Sequence, residues 1–168
     1  MEKQKQFIEI YDRFNDEIFR FCLSKTRNRD ESLDITQESF IKVWDYLRSG
    51  KTIGSVRGLL YRIARNNIID RSRKKKPTSL DAILDDTFGS DIPDSTSPSH
   101  EDYLITQSMI EELKRLPEQH YEILVLRYIQ ELTLSEIATM YNESENTISV
   151  RIHRALKQAQ KLFPTEIE

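Results

Sequence analysis

Apolar residues in this chain recur at steps of three and four on both sides of one long interruption, and that pattern restricts the fold more than any other feature. Phe7, Ile10, Tyr11, Phe14, Ile18, Phe21 and Cys22 form one such stripe, and Leu33, Phe40, Val43, Trp44 and Leu47 form a second. No run alternates with period two, and there are only 4 glycines, so an all-α fold is expected. The interruption, PTSLDAILDDTFGSDIPDSTSPS, is rich in Ser, Asp and Pro and sustains no helical period. The expected architecture is therefore two small helical domains, 1–76 and 102–168, joined by an acidic flexible linker over 77–101.

Helices are expected over roughly 5–27, 31–48 and 56–74, with SGKTIGS breaking the chain before the third. A helix near 102–115 opens the second half. Leu116-Pro117 restarts the chain, with Pro117 suited to a first helical turn, and helix continues to about Gln130.

The net charge of -3 conceals a segregation. Residues 1–80 hold 18 Lys/Arg against 11 Asp/Glu, residues 81–111 hold eight acids and no base, and residues 112–168 hold seven bases and nine acids. A basic domain, an acidic connector and a third part follow from this division.

In TLSEIATMYNESENTISVRIHRALKQAQ, Thr133 and Glu136 have the spacing of a capping box. Asn142 tolerates the left-handed conformation that ends a helix, and Ser144 suits the N-cap of the next, with Glu145 in its first turn. Two helices joined in this way make a helix-turn-helix. On the second helix Ile148, Ile152, Ala155, Leu156 and Ala159 share one face, while Ser149, Val150, His153 and Arg154 lie opposite, facing solvent or DNA. Short side chains beside an Arg can enter a major groove and read guanine. Arg151, on the flank, is better placed for phosphate.

The stretch GLLYRIARNNIIDRSRKKK carries seven bases and one acid. Leu59, Leu60, Tyr61, Ile63, Ala64 and Ile68 make a broad apolar arc, with Arg62, Arg65, Asn66, Ile69 and Arg73 opposite. Phosphate neutralisation explains that bias in a basic domain tethered to a DNA reader. Asp34, Gln37, Glu38, Ile41 and Asp45 form a contrasting acidic and amide-rich strip on the preceding helix. DNA would repel such a strip, which points to a protein partner.

Other classes find little support. No carboxylate cluster, nucleophile–base pair, phosphate loop or metal-ligand spacing is evident, so no catalytic residue, metal or cofactor is expected. Cys22 reads as core filler. The N-terminus MEKQKQF lacks an apolar region and the run ILVL is too short to span a bilayer, so a cytoplasmic chain without membrane insertion is expected. A free-standing helix-turn-helix regulator binding a palindrome as a dimer remains open at this point, although no dimerisation helix is evident.

Taken in order, DITQESFIKVW, LLYRIARNNIID, LPEQHYEILVLRYIQELTLSEIA and NTISVRIHRA resemble the extracytoplasmic-function group of RNA polymerase sigma factors, which keep regions 2 and 4 of the sigma-70 family. The resemblance covers nearly the whole chain. It implies a bacterial transcription initiation factor that binds core RNA polymerase and directs it to promoter DNA. Asp34, Gln37, Glu38, Ile41 and Trp44 would meet the polymerase. Lys51, Ser55, Arg57, Arg62, Arg65, Asn66 and Arg73, with the loop from Ser49 to Ser55, would engage the minus-10 element and capture a flipped base. Thr147, Ser149, Val150, Arg151, His153 and Arg154 would engage the minus-35 element. An anti-sigma factor, of the kind that is commonly membrane-bound, is a further implied partner. Val56 and Leu59 stand where the group usually has aromatics, and Asn142 and Asn146 where it often has glycine.

Overall fold

The computed structural model describes residues 1–75 and 100–163, with side chains described from residue 107 onward in the second segment. Most of the expected linker lies outside the described residues; its last two positions, 100 and 101, are already helical. The chain is all-α among the described residues and forms two helical units.

The first unit is a bundle of α1 (Glu2–Thr26), α2 (Arg29–Arg48) and α3 (Val56–Lys74), each packed on the other two. α1 stops at Arg27, whose φ of 53° places it in the left-handed region while its N–H donates to the Leu23 carbonyl at 2.9 Å. Asn28 then starts α2 at once, its side chain accepting from the Glu31 N–H at 3.0 Å, with Asp30 and Glu31 in the first turn. This cap brings the start of α2 two residues earlier than the apolar spacing predicts. Ile10, Ile18, Phe21 and Cys22 of the expected α1 stripe are buried, Phe7 and Phe14 are half-buried, and Tyr11 is exposed at its edge. Burial pushes the Cys22 thiol up to about 11.

The buried face of α2 differs from expectation. Leu33 is 39 % exposed, and the inward side is Ser32, Ile35, Thr36, Ser39, Phe40, Val43 and Leu47, with Trp44 half-buried at the margin. Each inward hydroxyl donates to a carbonyl one turn back: Ser32 to Asn28 at 2.6 Å, Thr36 to Ser32 at 2.7 Å and Ser39 to Ile35 at 2.7 Å. A satisfied hydroxyl is cheap to bury, and its small size lets a neighbouring helix approach. A reading that ranks Leu above Ser and Thr therefore rotates this face.

α3 keeps its expected apolar arc. Leu59, Leu60, Tyr61, Ile63 and Ala64 are buried and Ile68 is half-buried, with Gly58 and Asn67 completing the inward side. Ser55 caps the helix by accepting from the Gly58 N–H at 3.0 Å. Gly50, at φ +70°, supplies the left-handed turn that leaves α2.

The second half of the chain forms α4 (His100–Leu113), α5 (Glu118–Leu124), a wider π turn (Val125–Ile129), α6 (Leu134–Tyr141) and α7 (Glu145–Leu162). α5 and α4 both pack on α7. Pro117 stands just before α5 rather than inside its first turn; its φ is −50° and ψ 138°, and its carbonyl accepts from the N–H groups of His120 and Tyr121. The helix does run on toward Gln130, but through the π turn, where the Gln130 N–H reaches back to Val125 at 2.9 Å. Leu126, Leu132, Ile148 and Ala155 are fully buried. Among the described residues no helix is long and apolar enough to cross a membrane.

Candidate nucleic-acid interface

The turn between α6 and α7 is built almost entirely from local hydrogen bonds. The Thr133 N–H donates to Glu136 Oε2 at 2.8 Å and the Glu136 N–H to Thr133 Oγ1 at 3.2 Å, closing the expected capping box. Asn142 has φ 56°; its N–H donates to Thr139 and that of Glu143 to Ala138, at 3.3 and 3.0 Å. That pair of bonds is the Schellman arrangement with Asn in the glycine position. Ser144 then caps α7, accepting from the Thr147 N–H at 3.1 Å.

α7 presents the two faces that its sequence predicts. Ile148, Ile152, Ala155 and Ala159 are buried and Leu156 is half-buried. Ser149, Val150, His153 and Arg154 are exposed, spaced so that they lie side by side on one surface. Arg151 is half-buried on the flank. Thr147 is exposed, with its hydroxyl 2.8 Å from that of Ser144, so it belongs partly to the cap. Asn146 is helical.

In the first unit the expected promoter-facing residues fall into two groups. Arg73 and Asn66 are exposed on α3, with Arg62 and Arg65 half-buried, and Lys51 is exposed with its ammonium 5.4 Å from the Tyr46 ring centroid. Arg57 instead turns onto α1: its Nε and Nη2 donate to Glu17 Oε1 at 2.8 and 2.6 Å. Ser55 spends its hydroxyl on the α3 cap.

The acidic strip is exposed along α2 at Asp34, Gln37, Glu38 and Ile41, the last at 59 %. Trp44 is half-buried, edge-on to Phe7 at 5.3 Å between centroids. Glu38 also receives intramolecular donors. Arg71 Nη2 reaches its Oε1 at 2.6 Å and Asn67 Nδ2 its Oε2 at 3.3 Å, while Lys42 holds the Asn67 carbonyl oxygen at 3.0 Å. Arg71 Nη1 also lies 3.9 Å from Asp34. Reading the sequence missed Arg71 and Asn67 because nothing local links them to an acid about thirty residues away. Among the described residues no His, Cys, Asp or Glu group could hold a metal ion.

Comparison with known proteins gives the same two regions in the same order. A model of sigma-70 region 2 matches residues 10–78, and one of sigma-70, region 4 matches residues 113–161. The ECF RNA polymerase sigma factor SigW of Bacillus subtilis (strain 168) is 34 % identical over 168 residues, covering 94 % of this chain and 89 % of that protein. SigV of the same organism, an RNA polymerase sigma factor, is 30 % identical over 141 residues, covering 84 % and 81 %. The fold is shared with the sigma factor RpoE, solved with the anti-sigma factor NepR from Bartonella quintana, at a TM-score of 0.62 and 19 % identity over 96 % of this chain and 99 % of that one. CnrH, solved in complex with the cytosolic domain of CnrY, aligns at a TM-score of 0.59 and 19 % identity over 97 % and 90 %. Because the matched regions contain the α2 strip, the basic face of α3 and the capped α7, and relatives align along nearly the whole length, this chain belongs to the extracytoplasmic-function group of RNA polymerase sigma factors.

Proposed function

We propose that this chain directs core RNA polymerase to specific promoters through three separate surfaces. Residues 1–76 serve polymerase binding and the minus-10 element, residues 77–101 connect, and residues 102–168 serve the minus-35 element. The observation that carries the reading is the pairing of a DNA-suited face on each unit with an acidic, DNA-repelling strip on α2.

Asp34, Gln37, Glu38 and Ile41 meet the polymerase, with Trp44 supporting them from the margin. An exposed Ile beside carboxylates and an amide supplies apolar area together with directional hydrogen bonds, which suits a protein surface. Lys51, Arg62, Arg65, Asn66 and Arg73 lie against the promoter around the minus-10 element. The 49–55 loop receives a flipped base, whose unstacking costs a few kcal/mol that loop contacts and polymerase binding offset. Arg154 reads a base edge of the minus-35 element, Ser149, Val150 and His153 line the groove, and Arg151 and Thr147 approach the backbone.

On this reading the chain does no chemistry of its own and works in the cytoplasm, where polymerase and promoter are. Of the two solved proteins that share its fold, the sigma factor RpoE was captured with the anti-sigma factor NepR and CnrH with the cytosolic domain of CnrY. We extend that kind of partner to this chain: a protein covering the α2 strip would keep it from polymerase.

The test is a pull-down with purified bacterial core polymerase, followed by run-off transcription from genomic promoter fragments. Wild type should bind and initiate at discrete start sites, and Gln37→Ala/Glu38→Ala should lose core binding by at least tenfold, as expected for residues central to an interface. Operator binding without polymerase, and no core binding, would instead identify a free-standing regulator.

A further inference from the structure

The 49–55 loop is secured at both ends. Where it leaves α2, the Ser49 N–H donates to Asp45 at 2.9 Å and the Ser49 hydroxyl to Tyr46 at 2.8 Å. Where it enters α3, the Ser55 cap is joined by a sideways anchor from α1. One oxygen of Glu17, Oε1, accepts from Arg57 Nε at 2.8 Å, Arg57 Nη2 at 2.6 Å and the Tyr61 hydroxyl at 2.8 Å. The side chains of Arg57 and Glu17 are only 20 % and 23 % exposed, so solvent and salt screen this pair less than a surface pair. Tyr61 is itself buried, its ring 4.9 Å from that of Phe21, so the anchor is rooted in the bundle core. Between the two secured ends Lys51, Thr52 and Gly54 are exposed.

We infer that Glu17 is a positioning residue for the minus-10 loop, and that Arg57 serves this anchor rather than a promoter phosphate. Holding Arg57 and Tyr61 fixes the first two turns of α3, and with them the point where the loop re-enters the bundle. A loop that must receive one displaced base gains from such pre-organisation, because its geometry need not be ordered when the strand arrives. The inference rests on the promoter reading above.

Treating Arg57 as a direct phosphate ligand makes the opposite prediction for Glu17. Neutralising Glu17 would then release a cation toward DNA and tighten binding, whereas loss of an anchor weakens it. The two roles also differ in salt dependence: a phosphate contact contributes to the slope of log K against log salt, and an internal anchor does not.

The experiment uses holoenzyme assembled from the full chain and core polymerase. Its probe is a fluorescein-labelled, single-stranded non-template oligonucleotide spanning the minus-10 element of a promoter mapped by run-off transcription. Anisotropy titrations at several salt concentrations compare wild type with Glu17→Gln, Arg57→Gln, the double variant and the milder Tyr61→Phe, with core affinity measured in parallel. Glu17→Gln and Arg57→Gln should weaken strand binding by a similar factor, about fivefold, the scale of substitutions that act without touching a ligand. The double variant should be no weaker than either single one, Tyr61→Phe should weaken binding less, and salt slope and core affinity should stay at their wild-type values. Tighter or unchanged binding by Glu17→Gln would overturn the inference, as would a slope lowered by about 0.7 in Arg57→Gln alone, the single-strand value per phosphate. Core affinity falling in step with strand binding would overturn it too, by assigning the anchor to bundle stability. Wild-type holoenzyme that ignored the strand would bring down the promoter reading, and this inference with it.

Discussion

The two candidate DNA faces hold their cations differently. On α7 Arg154 and His153 stand exposed, and the acid in the first turn, Glu145, sits where the helix dipole favours it. In the three-helix unit, several cations between residues 57 and 75 have acids on other helices: Arg57 on Glu17, Arg71 on Glu38 and Lys75 on Glu31. The count of 18 Lys/Arg in residues 1–80 therefore overstates the cations offered to DNA. Part of it holds the bundle together. Charge counts locate a DNA-binding unit, but the pairing of each cation decides which ones face the duplex.

The largest effect should come from the exposed class. Arg154→Ala is expected to cost about 1–3 kcal/mol in binding of holoenzyme to a duplex with the preferred minus-35 element, and much less on one with that element scrambled. Core affinity should not change, since Arg154 lies on neither α2 nor α3. A loss equal for both duplexes, accompanied by a reduced salt slope, would make Arg154 a phosphate contact and erase the distinction between base reading and charge.

The paired class is probed by Arg71→Met. Its side chain is 28 % exposed and that of Glu38 48 %, so the pair is solvent-screened and its loss should lower unfolding stability by less than about 1 kcal/mol. Promoter affinity and its salt slope should match wild type, because the cation removed is one already spent on α2. A slope reduced as if a phosphate contact had been lost would show that the pair opens on DNA, and the contrast between the faces would fail at this residue.

These contrasts follow which parts of the molecule were legible in its sequence. Helical period, the Thr133–Glu136 box, the left-handed Asn142 and the Ser144 cap all rest on bonds spanning a few residues, and each is found as expected. The inward face of α2 was misread because Ser32, Thr36 and Ser39 satisfy their hydroxyls on their own helix, a condition that hydrophobicity does not register. The anchors on Glu17 and Glu38 were invisible for a different reason. Their donors come from 40 and 33 residues away, and only the packed bundle brings them together. Exposed α7 positions such as Arg154 were easier to assign, since the amphipathic pattern of a single helix already points them outward.

The smallest effect compares one device used in both halves of the chain. Arg27 closes α1 and Asn142 closes α6, at φ 53° and 56°. Asn visits the left-handed region readily because its short polar side chain bonds locally, whereas a longer side chain there costs roughly 1–2 kcal/mol. Glycine removes that strain but enlarges the conformational freedom of the unfolded chain, an opposing change of about 0.4–1 kcal/mol. Arg27→Gly should therefore stabilise the protein by a net amount of about 0.5–1 kcal/mol, while Asn142→Gly should destabilise it by about 0.4–1 kcal/mol, because there is little strain to relieve and the entropic term remains. Urea unfolding followed by circular dichroism reads both variants, provided that the slope of the transition stays constant between them. Equal gains would mean that Asn142 is as strained as Arg27 and that the permissiveness of Asn does not explain the turn. A loss in Arg27→Gly would mean that the Arg27 side chain contributes more through its contacts than its backbone conformation costs, making the end of α1 a further place where a cation of the first unit is held by the bundle.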